Sequence, residues 1–217
     1  MTGPDLPDGV WLEDPRIRQA EAPYTFFLPP LALVEAVSAG DIAKAIFAER
    51  DGAVERMWFE IDAADERCLY GTLANDPRDM VLISCGDRVA VPRTHVIDAR
   101  VGGPEQPPLE LDRPREYWDR CLVDDCVLSC KSHVDYLYRE EPDMTTQGDA
   151  YPDSGWRIRG TAEAIEQDRA DDRTAQYVAL GAVLNRDDRW LNLIDSDTGT
   201  AFQWNAESGE YEELARE

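Results

Sequence analysis

The hydrophobic and polar positions of the first hundred residues change period once, from helical to strand-like. Leu31, Val34 and Val37 recur at the spacing of one helix face, and Asp41 is placed to cap a second predicted helix over 42–49. Short runs rich in β-branched and aromatic residues then predict strands at 57–61, 68–73, 80–83 and 88–91. The pattern therefore predicts a helical start followed by an antiparallel sheet.

The second half opens with strand signals. A hairpin is expected around Asp124–Asp125, and alternating residues predict a strand over 134–139. In a further predicted strand, Trp156 and Ile158 point to one face, and the arginines that follow each of them point to the other.

The last sixty residues combine helical and strand patterns. Thr161 is a candidate helix cap, and the spacing of apolar residues over 177–184 predicts another helical face. Closing strands are expected at 201–204 and around Tyr211, on either side of a Ser208–Gly209 turn.

A Pro/Gly-rich stretch separates the two halves. Residues 101–114 contain two Gly and four Pro, which is typical of a linker. The predicted organisation is an α+β domain over 1–100, this linker, and a second α+β domain over 115–217. We expect two small domains, each a mainly antiparallel sheet with one or two packed helices.

The chain is strongly acidic along its whole length. It has 45 Asp and Glu against 22 Lys and Arg, a net charge of -23. Residues 113–217 hold 24 acids and 12 bases, so residues 1–112 hold the other 21 acids and 10 bases. A field of this sign disfavours nucleic acid and anionic membranes and favours encounter with basic proteins, although solubility alone is an alternative use of the charge.

The expected location is cytoplasmic. The N-terminus lacks a basic region followed by an apolar stretch, and no run of about 18 apolar residues occurs. Five cysteines, an odd number without an export signal, favour reduced thiols over a disulfide framework.

No constellation of catalytic residues is evident. Cys121, Cys126, Cys130 and His133 are possible zinc ligands, but their spacing is poor for paired knuckles, and packing in the core is the favoured interpretation. Residues 153–156 do not form a nucleophile elbow; they predict a tight turn in which the aspartate accepts backbone hydrogen bonds. Phosphate-loop and dinucleotide motifs are absent, so no cofactor is expected.

Several short motifs of the second half occur together in one order: Cys121-Leu-Val, Val134-Asp-Tyr-Leu-Tyr-Arg-Glu-Glu-Pro142, Asp153-Ser-Gly-Trp-Arg157, Gly160-x-x-Glu163 and Gly199-Thr-Ala-Phe202. Over about 120–215 the chain resembles the bacterial family called immunity protein 33. The resemblance implies protection of the host from toxins of polymorphic secretion systems, and it supplies no established active site.

The first half carries its own motifs: Arg56-Met-Trp58, Tyr70-Gly-Thr-Leu-Ala-Asn75-x-Pro77 and Gly86-Asp87-x-Val89. They resemble an uncharacterised bacterial domain that often accompanies such immunity modules. This second resemblance bears on the domain architecture and says little about function.

The leading hypothesis is a non-catalytic, acidic binding protein of the immunity type that neutralises a protein partner, such as a basic toxin, by direct binding. The acidic loop 140–153 and the acidic run 168–172, with neighbouring anchors, are the expected contact surfaces. The candidate partner-binding residues are Tyr138, Arg139, Glu140, Glu141, Asp143, Asp153, Trp156, Asp171 and Asp172.

Two other classes of function remain open at this point. One is a small-ligand or regulatory module with a cleft between the domains near Trp58, Asn75 and Trp156. The other is an enzyme of unrecognised type, which requires perturbed carboxylates clustered around His95 or His133.

Overall fold

The chain folds as two compact units, Met1–Pro114 and Arg115–Glu217. The computed structural model describes residues 6–102 and 114–215. Most of the expected linker, 103–113, lies outside the described residues. Each unit is built on one largely antiparallel sheet with short helices, which confirms the predicted α+β class.

The N-terminal unit contains a six-stranded antiparallel sheet in the order β1-β2-β3-β4-β5, with β6 also paired to β2. Its elements are β1 Val10–Leu12, α1 Pro15–Glu21, α2 Leu31–Ala36, β2 Ile42–Glu49, β3 Val54–Ala64, β4 Cys68–Leu73, β5 Arg88–Pro92, a 3-10 turn Arg93–His95 and β6 Asp98–Arg100.

The prediction of a second helix over 42–49 is wrong, because this segment is strand β2. It pairs with β1, β3 and β6, and every residue from Ala45 to Glu49 is buried. A strand buried on both faces loses its polar alternation, and a short apolar run then has no period that separates it from a helix.

The strand predicted at 80–83 is also absent, and a loop braced by two carboxylates takes its place. The Glu55 carboxylate accepts hydrogen bonds from the backbone amides of 78–80 at 2.7–2.9 Å. Glu49, whose side chain is fully buried, accepts from the amides of Val81 at 3.0 Å and of Leu82. Side-chain oxygens thus satisfy the backbone donors that a neighbouring strand would otherwise pair.

Replacing Glu49 by Gln tests this brace. The amide keeps the size of the side chain but turns one acceptor into a donor that faces backbone N–H groups, so we expect the free energy of unfolding to fall by about 1–3 kcal/mol. Urea unfolding measures the change. The control is Glu60→Gln on the exposed side of β3, which should change stability by less than about 0.5 kcal/mol; equal effects of the two variants would contradict the assigned role of Glu49.

The C-terminal unit has a six-stranded sheet in the order β10-β7-β9-β8-β11-β12, in which only β7 and β9 run parallel within the described residues. Its elements are β7 Arg120–Val123, α3 Asp125–Leu128, β8 Tyr136–Arg139, β9 Asp153–Arg159, α4 Ala162–Ala170, β10 Gln176–Ala179, α5 Leu180–Leu184, a 3-10 turn Leu191–Leu193, β11 Ala201–Asn205 and β12 Glu210–Glu213.

The hairpin predicted around Asp124–Asp125 is wrong. The chain leaves β7 into the short helix α3, and the sheet neighbours of β7 are β9 and β10, which lie far along the sequence. The predicted helical face over 177–184 is divided between strand β10 and helix α5. Pairing between distant segments decided both outcomes.

Two features that depend on local sequence, a helix cap and a hairpin, were predicted correctly. The Thr161 hydroxyl accepts a hydrogen bond from the Ala164 amide at 3.4 Å, which caps α4. Strands β11 and β12 form the expected closing hairpin around Ser208–Gly209.

Candidate protein-binding surface

The C-terminal sheet has one fully packed face. Leu137 of β8 lies between Ile158 of β9 and Phe202 of β11 in the strand register, and all three side chains are buried. Trp156 and Trp190, both with no exposed surface, pack on this side with ring centroids 5.8 Å apart.

The opposite face of the same strands is half-buried and carries tyrosines. Tyr136 and Tyr138 stack with their ring centroids 5.5 Å apart. Tyr136 lies opposite Arg159 in the register, and Leu122 lies opposite Tyr177 on the neighbouring pair of strands. We call these five residues the tyrosine face; tyrosine and arginine are the side chains that most often anchor protein interfaces.

A buried arginine lies at the border of this face. Arg157, opposite Tyr138 in the register, has only 4% of its side chain exposed. Its guanidinium forms two hydrogen bonds with Asp153, at 3.0 and 2.9 Å, one with Asp143 at 2.8 Å and one with Glu140. A buried charge is tolerated only when its donors are matched in this way.

Asp153 is the buried partner of this cluster. Its carboxylate also accepts from the amides of Gly155, Met144 and Asp143 at 3.1–3.2 Å. Burial opposes ionisation, but the hydrogen bonds from Arg157 and the amides outweigh it and hold the pKa of Asp153 below its usual value. The bond from Gly155 confirms the predicted backbone role of this aspartate. The tight turn predicted over 153–156 is wrong, because these residues form the start of strand β9.

The acidic loop, residues 140–153, has further attachments. Arg120 binds the Asp149 carboxylate through two hydrogen bonds at 2.6 and 3.0 Å, and the Tyr177 hydroxyl donates to the Met144 carbonyl at 3.3 Å. A hollow of about 490 Å³ lies between residues 142–153 and Tyr177. The loop is therefore fixed to β7, β9 and β10 along its length.

The motif around Arg157 requires a glycine at position 155. The register of β9 against β7 shifts between Arg120 and Leu122, and Gly155 adopts a φ of +80° there. A Cβ atom at this position would lie 2.1 Å from the carbonyl oxygen of Glu140. A glycine is needed both for the backbone conformation and for the close approach of the acidic loop.

The structure brings several of the predicted residues together. Glu140, Asp143 and Asp153 converge on Arg157, next to Tyr138, and Glu141 is exposed.

Arg139 and Trp156 lie on the packed side. The Arg139 guanidinium donates to the carbonyls of Ser154 at 3.0 Å and Ser196 at 2.7 Å and lies 5.8 Å from the Trp156 ring centroid. Because Trp156 has no exposed surface, it contributes to the core and supports the surface only indirectly.

The acidic run 168–172 serves mixed purposes. Asp168 is buried and accepts from the Cys126 amide at 2.7 Å. Asp171 and Asp172 are exposed at the C-terminal end of α4, where Asp171 accepts from Gln167 at 2.9 Å. These two aspartates belong to the end of a helix and not to the acidic loop.

The residues named for the ligand-binding and enzyme hypotheses make the following contacts. Two cations contact the Trp58 ring: the Lys44 ammonium lies 4.4 Å from a ring centroid, and the Arg100 guanidinium lies 5.0 Å away. Asn75 accepts from the Trp58 amide at 2.8 Å. Burial holds the pKa of His95 below its ordinary value.

The cysteines occupy different environments. Cys121 and Cys126 are buried, and burial raises both thiol pKa values, that of Cys126 to about 12, whereas Cys130 is exposed. Across residues 6–102 and 114–215, no three His, Cys, Asp or Glu side chains are arranged to hold a metal ion. No helix in those ranges has the length and apolar character needed to cross a membrane.

Sequence reasoning missed the role of Arg157 and did not name Tyr136 or Tyr177 among the candidate partner-binding residues. Alternation correctly placed Arg157 away from Trp156, but the burial of Arg157 depends on a loop that folds over it. The excess of acids in 140–153 was the available signal that a nearby cation has several partners.

The tyrosine face contains tyrosine and arginine side chains, which are enriched at protein interfaces. Residues 121–215 match the model of the Immunity protein Imm33 domain. Residues 17–102 match that of an uncharacterized protein conserved in bacteria, DUF2314. Both matches confirm the resemblances and their order along the chain. No curated protein and no solved structure matches it.

Two glycine variants in the acidic loop region test the close approach at Gly155. Gly155→Ala and Gly148→Ala both place a side chain at positive φ, but only the Cβ at 155 would meet a backbone atom. A Cβ at 148 would have no atom within 4 Å beyond its chain neighbours. We expect strain of about 1–3 kcal/mol in both variants and a further loss of about 1–3 kcal/mol in Gly155→Ala from the clash. Thermal and urea unfolding measure the difference, and equal losses would contradict the proposed contact.

The acid dependence of stability tests the Arg157 cluster. Because the pKa of Asp153 is lower in the folded state than its unfolded value of about 3.9, this carboxylate contributes stability above that value and loses it as pH falls through the folded pKa. Asp153→Asn should be destabilised by about 3 kcal/mol at pH 7 and should lose less additional stability than wild type between about pH 5 and 2. The control, Asp197→Asn, changes an exposed residue and should follow the wild-type pH profile; a wild-type profile in Asp153→Asn would be the contrary result.

Proposed function

We propose that this chain is a non-catalytic immunity-type protein that neutralises a protein toxin by binding it through the tyrosine face and the acidic loop of its C-terminal unit. The observation that carries the proposal is the Imm33 match, which spans the sheet that presents this face. The mechanism is coverage of the toxin surface, which needs no chemical step.

The geometry suits tight association. Tyr136 and Tyr138 offer large half-buried rings that stacking already holds in place. Beside them, the side chains of Glu140 and Asp143 remain 42% and 73% exposed although both pair with Arg157. Groups ordered before binding lose less conformational entropy when a partner arrives, so more of the contact energy appears as affinity.

The charge favours a basic partner. The chain carries a net charge of -23, and a field of that sign accelerates encounter with positively charged proteins. If the toxin acts on nucleic acid through a basic groove, exposed carboxylates of the acidic loop occupy the positions of phosphates. The expected partner is therefore a toxin domain with a basic surface.

Co-expression with neighbouring toxins tests the proposal. Each candidate toxin domain encoded beside this gene is induced in a heterologous bacterium, with and without the full chain. We expect growth to recover with one of them, and the purified pair to bind with a Kd near or below about 1 µM. If the chain neither rescues growth nor binds any of these domains, the proposal fails.

Variants of the face locate the contact on the toxin identified in that way. Tyr138→Ala should weaken binding at least about tenfold, and Glu141→Lys should slow association and reduce its salt dependence. Tyr70→Ala, in the N-terminal unit, is the matched control and should bind like wild type. Calorimetry at about 50 and 300 mM NaCl reports the electrostatic part; salt-independent affinity would contradict a basic partner while leaving the aromatic contact intact.

A further inference from the structure

A second, chemically different site lies elsewhere on the C-terminal unit. A hollow of about 390 Å³ is lined by Lys131, His133, Arg186, Asp187 and Arg189, among others. We call it the basic hollow. Its volume falls at the lower end of the range of small-molecule pockets, about 300–1,000 Å³. Three lysine and arginine side chains at one place are unexpected in a half of the chain that has 24 acids and only 12 bases.

The one carboxylate of the basic hollow is already neutralised. Asp187 accepts from the Arg189 guanidinium, at 2.8 Å from Nε, and from the Val134 amide at 2.8 Å. Burial opposes its ionisation, but these hydrogen bonds outweigh it and lower the pKa of Asp187. Arg189 in turn lies 4.1 Å from the Trp204 ring centroid, which fixes the wall of the hollow.

The other two cations keep most of their hydrogen-bonding capacity. The Arg186 side chain is exposed and has no ion pair or hydrogen bond with any residue in 6–102 or 114–215. Lys131 has one distant counterion, Asp171, at 3.7 Å. A guanidinium with no ion pair within the described residues and an ammonium with one loose ion pair, both lining one hollow, are suited to bind an oxyanion.

His133 also lines the basic hollow. His133 Nε2 is buried and forms no hydrogen bond; the nearest carboxylate oxygen, Asp135 Oδ1, is 3.4 Å away. Next to it, Cys130 adopts a φ of +57°. A left-handed conformation at a non-glycine residue is strained, and such strain is concentrated at ligand sites and turns.

We propose that the basic hollow binds a small multivalent oxyanion, a phosphate ester or a polycarboxylate, with Lys131 and Arg186 as its charged contacts. The proposal is independent of toxin binding, because these side chains belong neither to the tyrosine face nor to the acidic loop. It gives this unit a positively charged ligand site, although the molecule as a whole is negatively charged. Such a ligand has to be small, because a long polyanion meets the acidic surface around it.

Calorimetry and tryptophan fluorescence with sodium pyrophosphate, inorganic phosphate and citrate, at matched ionic strength, test this site on the full chain. We expect one equivalent of pyrophosphate or citrate to bind with a Kd below about 1 mM, and the preferred probe distinguishes phosphate from carboxylate chemistry. Lys131→Gln and Arg186→Gln should each weaken binding at least about fivefold.

The control is Arg169→Gln, an exposed arginine on α4 that pairs with Glu166 and lies outside the lining of the basic hollow. It should leave the Kd unchanged. The absence of binding by wild type at about 10 mM of every probe, or equal weakening by Arg169→Gln and Arg186→Gln, would overturn the proposal. Unchanged unfolding midpoints of the variants without ligand separate lost binding from lost structure.

Discussion

The Arg157 guanidinium and the three carboxylates around it organise the C-terminal unit. A cation with 4% of its side chain exposed is costly to bury unless acceptors surround it. Asp153 supplies the buried acceptor from the same strand, and Glu140 and Asp143 come from the loop that joins β8 to β9. The need to compensate one charge therefore fixes the acidic loop at the border of the tyrosine face.

Carboxylates also hold a loop in place in the N-terminal unit. Glu49 and Glu55 accept hydrogen bonds from consecutive amides of a loop that has no strand neighbour there. Carboxylates are strong acceptors for several N–H donors at once. Part of the high acid content of this protein is thus structural, since these side chains hold loops in place.

The remaining acids produce the negative field that surrounds the protein, and this field bears on both uses that we propose for surfaces of the C-terminal unit. The tyrosine face with the acidic loop suits a large partner of opposite charge, because aromatic anchors and exposed carboxylates occur side by side. The basic hollow suits a small anion, which gains from Lys131 and Arg186 at short range. The Imm33 match supports the first use, and the charges that line the hollow support the second.

Sequence alone determined features whose cause is local: the cap at Thr161, the closing hairpin at Ser208–Gly209, the acidity of 140–153 and the motifs that match Imm33. Tertiary structure decided whether Ile42–Glu49 became a helix or a strand, because sheet neighbours on both sides buried it completely. It also decided the burial of Arg157. Alternation tells which face of a strand a side chain occupies, but which face a loop covers depends on contacts between distant residues.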